Sequence, residues 1–455
     1  MLCKAISDRY RCPEQFVRTS LATPLSAENG YFRFGRDLIC YGRPCGAIPA
    51  ASAADRLPDL LGEVRTDHPD VQLPFDVTQL VDNLTHERYL TNAHGTSPGS
   101  VSNPLLSKLY YSVRPLLPAP LRIPLQRMYF RGWEKIAFPA WPLDLTVENL
   151  LETVLLLCMK SSGIDAVPFI WFWPDGAPSA AILTHDVETA RGRDFCPRLM
   201  DIDESFGFRA SFQIVPEARY PVTTAFLRAI RDRGHEINVQ DLNHDGNLFR
   251  DRRQFLCRVK AINEYGRLWG AKGFRSGILY RNLNWFDALA FEYDMSVPNT
   301  GRLEPQGGGC CTVFPYFIGD ILEIPLTTTQ DHSLFHILRE HRIDLWKTQA
   351  ALVMEKHGLL SLLSHPDYLL DKRAQCMYRA LVAYLSELES EHKMWIALPN
   401  QVNEWWRQRS KMTLAPEGNS WRIEGPGKER ARLAYAKRDG DRLIYTREAS
   451  VPGAT

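Results

Sequence analysis

Residues 180–188 read AAILTHDVE, an apolar run that stops abruptly at the polar residues around Asp186 and Glu188. Such a run is typical of a buried strand that delivers side chains to a site at its end. Asp186 and Glu188 are two positions apart, so an extended backbone places both carboxylates on the same side. Two carboxylates that close repel each other unless a metal ion or a shared proton intervenes. The stretch therefore predicts a strand end that carries acid–base or metal chemistry.

Three further polar clusters follow later runs with strand character. They lie at residues 240–246 (QDLNHDG), 273–276 (GFRS) and 363–367 (LSHPD). Strand and helix patterns alternate from residue 178 to 409, which is typical of parallel βαβ units. In a parallel barrel the carboxyl ends of the strands meet at one face, where chemistry gathers. We therefore expect an α/β barrel of about seven or eight strands with one site at that face.

The remaining chain divides into two regions of different pattern. Residues 1–177 combine short alternating runs, as at 31–34 (YFRF), with predicted helices near 77–90 and 146–160, which indicates a mixed α+β region. Residues 410–455 interleave charge and glycine with short alternating runs, which indicates a small β appendage and a tail. The predicted domains are therefore 1–177, 178–409 and 410–455.

The composition is that of an ordinary globular protein. The chain has 455 residues, of which 45% are hydrophobic and 24% charged, and a formal net charge of +1. Because the basic residues are dispersed, we expect no nucleic-acid partner. Ten cysteines without a CxxC pair favour reduced thiols. The N-terminus has no apolar core typical of a signal peptide, so the predicted location is the cytoplasm.

The segment at residues 105–133 is basic, aromatic and rich in proline. Basic amphipathic stretches can bind anionic lipid surfaces, so membrane contact is one interpretation of this segment. The prolines at 115, 118, 120 and 124 prevent one continuous helix, however, and packing against the barrel is the preferred interpretation. The sequence does not predict an oligomeric state.

The first cluster and the loop after residue 240 offer a base and metal ligands. Asp186 suits a general base that deprotonates water, with a structural carboxylate or helix cap as the alternative. Glu188 suits a metal ligand, with a surface carboxylate as the alternative. His244 is a further candidate ligand, unless it merely hydrogen-bonds its own loop, and a ligand histidine usually needs a second acceptor to orient it.

The third and fourth clusters offer an orienting cation and an acid. Arg275 needs a partner if it is buried, and Asp186 is the natural one. His365 suits a general acid for a leaving amine, with a core histidine as the alternative. Trp285 and residues 314–317 (FPYF) are candidates for stacking on a sugar ring, with core packing as the alternative.

Over about residues 178–405 these clusters resemble the NodB-homology polysaccharide deacetylases, carbohydrate esterase family four. The resemblance implies that Asp186 is the base, that Glu188 and His244 bind the metal, and that Arg275 and His365 fill the arginine and final histidine motifs. It also implies a deformed (β/α) barrel, a divalent metal that is usually zinc, and hydrolysis of N-acetyl groups on a sugar polymer or glycan precursor. The substrate would then be an N-acetylated glycan.

Gln240 departs from the family pattern, because it stands where the first histidine of a His-x-x-x-His motif is expected. A neutral amide is a much weaker zinc ligand than imidazole. Either Gln240 or the neighbouring Asp241 could complete a metal site with Glu188 and His244. The alternatives are a non-catalytic glycan-binding or scaffold protein on the same fold and a related hydrolase of a non-sugar amide.

Overall fold

The computed structural model describes residues 2–66, 70–90 and 119–448, with the backbone alone described at 119–123. The described residues fall into two compact units. The first lies within Met1–Ala93, Leu145–Ala177 and Glu404–Thr455, and the second within His94–Asp144 and Pro178–Asn403. The C-terminal strands thus belong to the same unit as the N-terminal residues, although the sequence pattern predicts a separate appendage.

Strands occur in both units, and they are numbered here along the chain. In the first unit they are β1 (Thr19–Leu21), β2 (Gly30–Arg33), β3 (Ile39–Gly42), β4 (Val71–Leu73), β5 (Ala166–Ile170), β15 (Thr413–Glu417), β16 (Ser420–Glu424), β17 (Leu433–Asp439) and β18 (Arg442–Arg447). In the second unit they are β6 (Ala180–Val187), β7 (Ser211–Ile214), β8 (Glu236–Gln240), β9 (Gly273–Arg275), β10 (Tyr293–Asp294), β11 (Tyr316–Ile318), β12 (Ile321–Glu323), β13 (Leu359–Ser364) and β14 (Trp395–Ala397).

Helices alternate with the strands of the second unit and also occur in the first. The α-helices are Lys4–Tyr10, Val77–Thr85, Ala119–Tyr129, Thr146–Ser162, Ala190–Glu204, Thr224–Arg231, Arg252–Trp269, Asp344–Glu355, Lys372–His392 and Pro399–Arg409. Short 3₁₀ turns are Glu14–Phe16, Leu61–Glu63, Arg88–Leu90, Trp133–Lys135, Pro174–Gly176, Gly277–Leu279, Leu283–Ala288 and Pro366–Tyr368, and Ser333–Leu338 is a π-helical turn.

The second unit is built on one nine-stranded sheet. Its strand order is β11-β12-β10-β9-β8-β7-β6-β13, and β14 also pairs with β6. All pairs are parallel except β11–β12, which is antiparallel. The sheet curls into a half-barrel, and among the described residues no pairing joins β11 to β13. This arrangement confirms the predicted α/β class and the deformed barrel.

The central strands are buried over their whole length. Every residue of β6 and of β13 is buried, as are those of β7 and β9. Strands buried on both faces read as nearly continuous apolar runs, because helices cover a parallel sheet on its faces. This is why Ala180–Leu183 and Leu359–Leu363 are recognisable as strands from sequence.

Four helices of the second unit begin at polar capping residues. Thr189, Thr223, Asp251 and Asp371 each accept a hydrogen bond from a backbone N–H in the first turn of their helix. A cap of this type satisfies donors that the first helical turn leaves without partners. Gly270 ends the helix that Asp251 begins, in the left-handed conformation that favours glycine.

The first unit contains four small sheets. β2 and β3 form a hairpin, β15 and β16 form another, β1 pairs in parallel with β4, and β5 joins β17 and β18 in an antiparallel sheet of three strands. Arg409 is 1% exposed and donates hydrogen bonds to the backbone oxygens of Arg9, Ile170 and Trp171. These contacts tie together the three stretches of chain from which this unit is built.

None of the described helices is both long enough and apolar enough to span a bilayer. Residues 105–118 of the basic, aromatic segment lie outside the described residues, so packing of these residues against the barrel stays a prediction and membrane contact stays its alternative. All ten cysteines are described, and none of them is paired in a disulfide.

Candidate active site

The strand-end clusters lie along one edge of the sheet in the second unit. Asp186 is the penultimate residue of β6, Gln240 ends β8, Arg275 ends β9, and His365 follows β13 directly. The register aligns these ends, because Gln240 is paired with Arg275, and His185 with Ser364. Parallel strands therefore deliver their last side chains to the same place.

Asp186 is held by two neighbours from β8 and β9. Arg275 Nη1 donates to Asp186 Oδ1 at 3.2 Å, and Gln240 Nε2 donates to Asp186 Oδ2 at 2.9 Å. Asp186 is 2% exposed and Arg275 is fully buried. Burial raises the pKa of Asp186, while the charges of Arg275 and His365 oppose that rise. A carboxylate with a raised pKa, oriented by a fixed cation, is suited to accept a proton near neutral pH.

Glu188 lies between two histidines. Its Oε1 atom is 2.8 Å from His244 Nε2 and 3.6 Å from His365 Nε2. Burial acts to raise the pKa of Glu188, but the charges and hydrogen bonds of His244 and His365 outweigh it and hold the pKa well below its usual value. Glu188 is therefore a carboxylate in this setting.

His244 is brought to Glu188 by a loop with a strained backbone. His244 and Asp241 both adopt left-handed φ angles, 54° and 52°. Residues other than glycine pay a free-energy cost in this region, and such residues concentrate at functional sites. Gly277 packs on the same loop, where an added Cβ would lie 2.5 Å from Asp241 Oδ2 and 3.1 Å from His244 Cδ2. Only glycine leaves room for the loop in this position.

Gln240 presents its nitrogen to the carboxylates. Its Nε2 atom donates to Asp186 Oδ2 and lies 3.4 Å from Glu188 Oε1, whereas Oε1 of Gln240 is buried without a hydrogen-bond partner. Asp241, the alternative ligand, accepts from the backbone N–H of Leu242 at 2.7 Å. Gln240 therefore contacts the carboxylates of Asp186 and Glu188, whereas the bond that Asp241 makes is to its own loop. A ligand role for Gln240 requires the opposite orientation of its amide, with the oxygen towards the cation, and stays a prediction.

Asp331 is a site residue that sequence reasoning missed. Asp331 Oδ1 lies 2.7 Å from His365 Nδ1, and its Oδ2 accepts from the His365 backbone N–H at 2.7 Å. Burial acts to lower the pKa of His365, but the carboxylates of Asp331 and Glu188 outweigh it and raise the pKa well above its usual value. Asp331 is 34 positions from His365, so no local pattern links the two. The polar run 327–331 after β12 is the one local pattern that could have indicated a site residue there.

Asp367 joins the loop of Glu188 to the loop of His365. It accepts hydrogen bonds from the Glu188 backbone N–H at 3.2 Å and from the Thr189 hydroxyl. Thr189 also caps the helix Ala190–Glu204. The two loops that carry the candidate ligand and the candidate acid are thus fastened to each other and to a helix start.

The donor set fits a divalent cation. Asp186, Glu188 and His365 each offer one ligand atom, and these atoms lie within 4.8 Å of one another. His244 adds a further buried imidazole nitrogen, because its Nε2 atom lies 2.8 Å from Glu188 Oε1. Carboxylate oxygens and imidazole nitrogens are ligand types that zinc accepts. Of the predicted ligands, this group includes Glu188 but not His244, and its other two members are the predicted base Asp186 and the predicted acid His365.

These residues border a cavity of about 1390 Å³ in the second unit. Glu188, His244 and His365 lie in its wall, and its aromatic lining consists of Phe130, Phe249, Tyr280 and Tyr368. The remaining wall is mainly polar.

The aromatic candidates proposed from sequence lie elsewhere. Trp285 is partly buried and packs against the core beside Phe255, with ring centroids 5.4 Å apart, and Phe314 is 1% exposed. Neither belongs to the cavity lining. The alternative of core packing is therefore correct for these residues, because large apolar rings near a sheet are buried more often than they are presented to a ligand.

Comparison with known proteins finds similarity in solved structures. No family model matches the chain, and no curated protein matches it. A putative polysaccharide deacetylase from Mycobacterium smegmatis is 20% identical, with 52% of this chain and 93% of that chain covered and a TM-score of 0.43.

Two further structures are similar at lower identity. A probable polysaccharide deacetylase from Pseudomonas aeruginosa is 15% identical, with coverage of 52% and 93% and a TM-score of 0.40. The peptidoglycan deacetylase PdaC from Bacillus subtilis is 13% identical, with coverage of 51% and 93% and a TM-score of 0.33. Similarity at this level carries no information about the chemistry of this chain.

Proposed function

We propose that this protein is a metal-dependent hydrolase that removes acetyl groups from the amide nitrogens of an N-acetylated glycan. One observation carries the proposal: a buried base held by an arginine, a carboxylate between two histidines, and a histidine held by an aspartate meet at one edge of the sheet. This combination offers every group that amide hydrolysis requires. The polar cavity beside it supports a sugar as the substrate.

Asp186 is the proposed general base and Arg275 its orienting partner. Asp186 takes a proton from the water that attacks the acetyl carbonyl. Burial raises the pKa of this carboxyl group, which increases its affinity for the proton. Arg275 holds Oδ1 at 3.2 Å and keeps the carboxylate oriented during the transfer.

His365 is the proposed general acid. It would donate a proton to the nitrogen as the carbon–nitrogen bond breaks, so that acetate and a free amine leave. The Asp331 carboxylate raises the pKa of His365, which keeps the imidazole protonated in the resting site. Asp331 also fixes the ring, because Nδ1 is bound and Nε2 is left to face Glu188.

Glu188 and His244 are the proposed metal ligands, with Gln240 or Asp241 as the third. A divalent cation, most suitably zinc, would polarise the amide carbonyl and lower the pKa of the attacking water when bound. Because His244 must give up a proton to bind a cation, zinc binding should weaken as pH falls.

The test is release of acetate from N-acetylglucosamine oligomers, measured before and after removal of metal by a chelator. We expect acetate release that is lost with the chelator and restored by zinc. Acetate release at the same rate in metal-depleted protein would overturn the metal requirement. Absence of acetate release with zinc present, in protein that binds the oligomer, would overturn the proposed activity.

The contacts of Gln240 favour a second candidate function. Its amide nitrogen lies within hydrogen-bond distance of both carboxylates, which satisfies them without a cation. A site closed in this way suits a non-catalytic glycan-binding protein. Calorimetric titration separates the two candidates, since this second function predicts oligomer binding without zinc binding.

A further inference from the structure

Glu304 is a buried acid in the cavity wall that the proposed chemistry does not use. It is 7% exposed and lines the same cavity as Glu188, His244 and His365. A carboxyl group is almost never buried without a partner or a function. Because Glu304 lines the cavity, a ligand in the cavity can reach the exposed part of its side chain.

The loop 301–309 holds Glu304 in this position. Gln306 binds both backbone groups of Arg281, through Oε1 at 2.9 Å and Nε2 at 3.1 Å. The Arg281 guanidinium in turn donates to the backbone oxygens of Leu279 and Gly307. The wall that carries Glu304 is therefore fastened to the loop after β9, which also belongs to the cavity lining.

A second set of contacts links Glu304 to the part of the site that holds His365, the proposed general acid. Gln330 Nε2 donates to Glu304 Oε2, and Gln330 immediately precedes Asp331, the partner of His365. Ser333 donates to the Leu303 backbone oxygen at 3.3 Å, which ties the same two segments again. The Glu304 carboxyl and the His365 imidazole are thus mounted on connected pieces of backbone.

We propose that Glu304 binds a hydroxyl group of the sugar substrate and so positions the acetamido nitrogen for His365. This inference rests on the proposed function. Gln330 orients one carboxyl oxygen, which leaves the other as an acceptor for the ligand. A carboxylate is a stronger acceptor for a sugar hydroxyl than a neutral group. A site built to bind a hydroxyl rejects an analogue that lacks it, because its buried polar group is then left unpaired.

The electrostatics of the cavity support this role. Burial raises the pKa of Glu304 to about 7, although Gln330, Arg281 and His365 act to lower it. Above neutral pH Glu304 is a carboxylate that burial keeps from most water. A ligand hydroxyl then supplies a hydrogen bond that stabilises this poorly hydrated charge. The neighbouring cations Arg281 and His365 disfavour a positively charged ligand at the same place, which favours a neutral hydroxyl.

The experiment measures the affinity of metal-free protein for tetra-N-acetylchitotetraose at pH 8. The variants are Glu304→Gln and Glu304→Ala, and the control is Glu340→Gln, an exposed glutamate outside the cavity lining. We expect roughly tenfold weaker binding for Glu304→Gln, a larger loss for Glu304→Ala and no change for the control. Equal affinity in all four proteins would overturn the inference.

Deoxygenated oligomers separate direct contact from a structural role. If Glu304 binds one hydroxyl, wild-type protein loses affinity when that hydroxyl is removed, and Glu304→Ala loses nothing further at that position. If Glu304 only supports the fold, every deoxy ligand weakens equally in both proteins, which would overturn the inference. Glu304→Gln should fold, since burying an amide costs less than burying a carboxylate.

Failure of the two proposals gives different results. Acetate release by wild-type protein, with unchanged oligomer affinity in the Glu304 variants, overturns this inference alone. Oligomer binding that depends on Glu304, without acetate release in the presence of zinc, supports the binding role and overturns the proposed hydrolysis.

Discussion

The two faces of β6 and β13 differ in how their buried polar groups are satisfied. On the face that carries helices, His185 Nδ1 lies 2.9 Å from Ser364 Oγ and His185 Nε2 lies 3.0 Å from Asp203 Oδ2. Tyr378 donates to Asp203 Oδ1 at 2.6 Å. All four residues are buried, and these contacts tie both strands to the helices Ala190–Glu204 and Lys372–His392.

The opposite face carries the candidate active site and is less completely bonded. Among the described side chains, Gln240 Oε1 and the Nε and Nη2 atoms of Arg275 are buried without a hydrogen-bond partner. Each unsatisfied buried group costs about 1–3 kcal/mol. Adjacent residues of one strand, His185 and Asp186, therefore belong to opposite environments, one of which favours stability and the other binding.

The difference in hydrogen bonding between the two faces indicates that stability is lower at the face that carries the candidate active site. A satisfied network fixes the register of β6 against β13, because His185 and Ser364 are paired across the two strands. That register in turn sets the positions of Asp186 and His365, the next residue along each strand. The hydrogen-bond network of His185, Ser364, Asp203 and Tyr378, called here the outer network, is thus expected to control stability. The candidate active site on the opposite face is expected to control activity.

The largest expected effect is on activity. Asp186→Asn removes the proposed base while the amide keeps the size of the side chain. Positioned general bases contribute about 10²–10⁴-fold, so kcat for acetate release should fall by that order. The free energy of unfolding should fall as well, because the variant leaves the buried Arg275 guanidinium without its carboxylate partner, so a denaturant unfolding curve must first show that the variant is folded. A variant that releases acetate at the wild-type rate would contradict the assignment.

The next effect is on stability. Asp203→Ala removes the acceptor for both His185 and Tyr378, and each buried group left unsatisfied costs about 1–3 kcal/mol. Denaturant unfolding measures this loss. The matched control is Asp201→Ala in the same helix, because the Asp201 side chain is 67% exposed in its ion pair with Arg233. Exposed pairs contribute about 1 kcal/mol or less, so equal losses in the two variants would contradict the proposed importance of the network.

A smaller effect is expected on metal affinity. Gln240→His places an imidazole, a better zinc ligand than an amide, beside Asp186 and Glu188. We expect zinc affinity to rise by about tenfold or more, which corresponds to roughly 1.4 kcal/mol. Calorimetry measures the change. If affinity is unchanged in Gln240→His but abolished by Asp241→Ala, the ligand is Asp241 instead.

The smallest expected effect is the loss of stability when one hydrogen bond to Asp203 is removed. Tyr378→Phe removes one hydroxyl that donates to Asp203, and a typical hydrogen bond contributes about 1 kcal/mol. Tyr384→Phe in the same helix is the control, since its side chain is only partly buried. Thermal unfolding of both variants measures the difference, and a lower melting temperature for Tyr384→Phe than for Tyr378→Phe would contradict the comparison.

Part of the site was predictable because its residues stand at the ends of local patterns. Asp186, Arg275 and His365 follow apolar runs that are recognisable as strands, and parallel strands bring their ends together. Gln240 was recognised only through a family pattern. Trp285 was a candidate for sugar stacking but packs in the core, because composition does not distinguish a ring in the core from one in a cavity.

The sequence by itself determined the alternation of strands and helices in 178–409 and the chemical types of side chain at the strand ends. Both follow from local periodicity and from caps such as Thr189 and Asp371. Only the tertiary structure decided which side chains are partners. Asp331 joins His365 across 34 positions, and Tyr378 joins Asp203 across 175. Such pairs depend on how the helices and strands pack, because no regular spacing along the chain relates residues that meet only after folding.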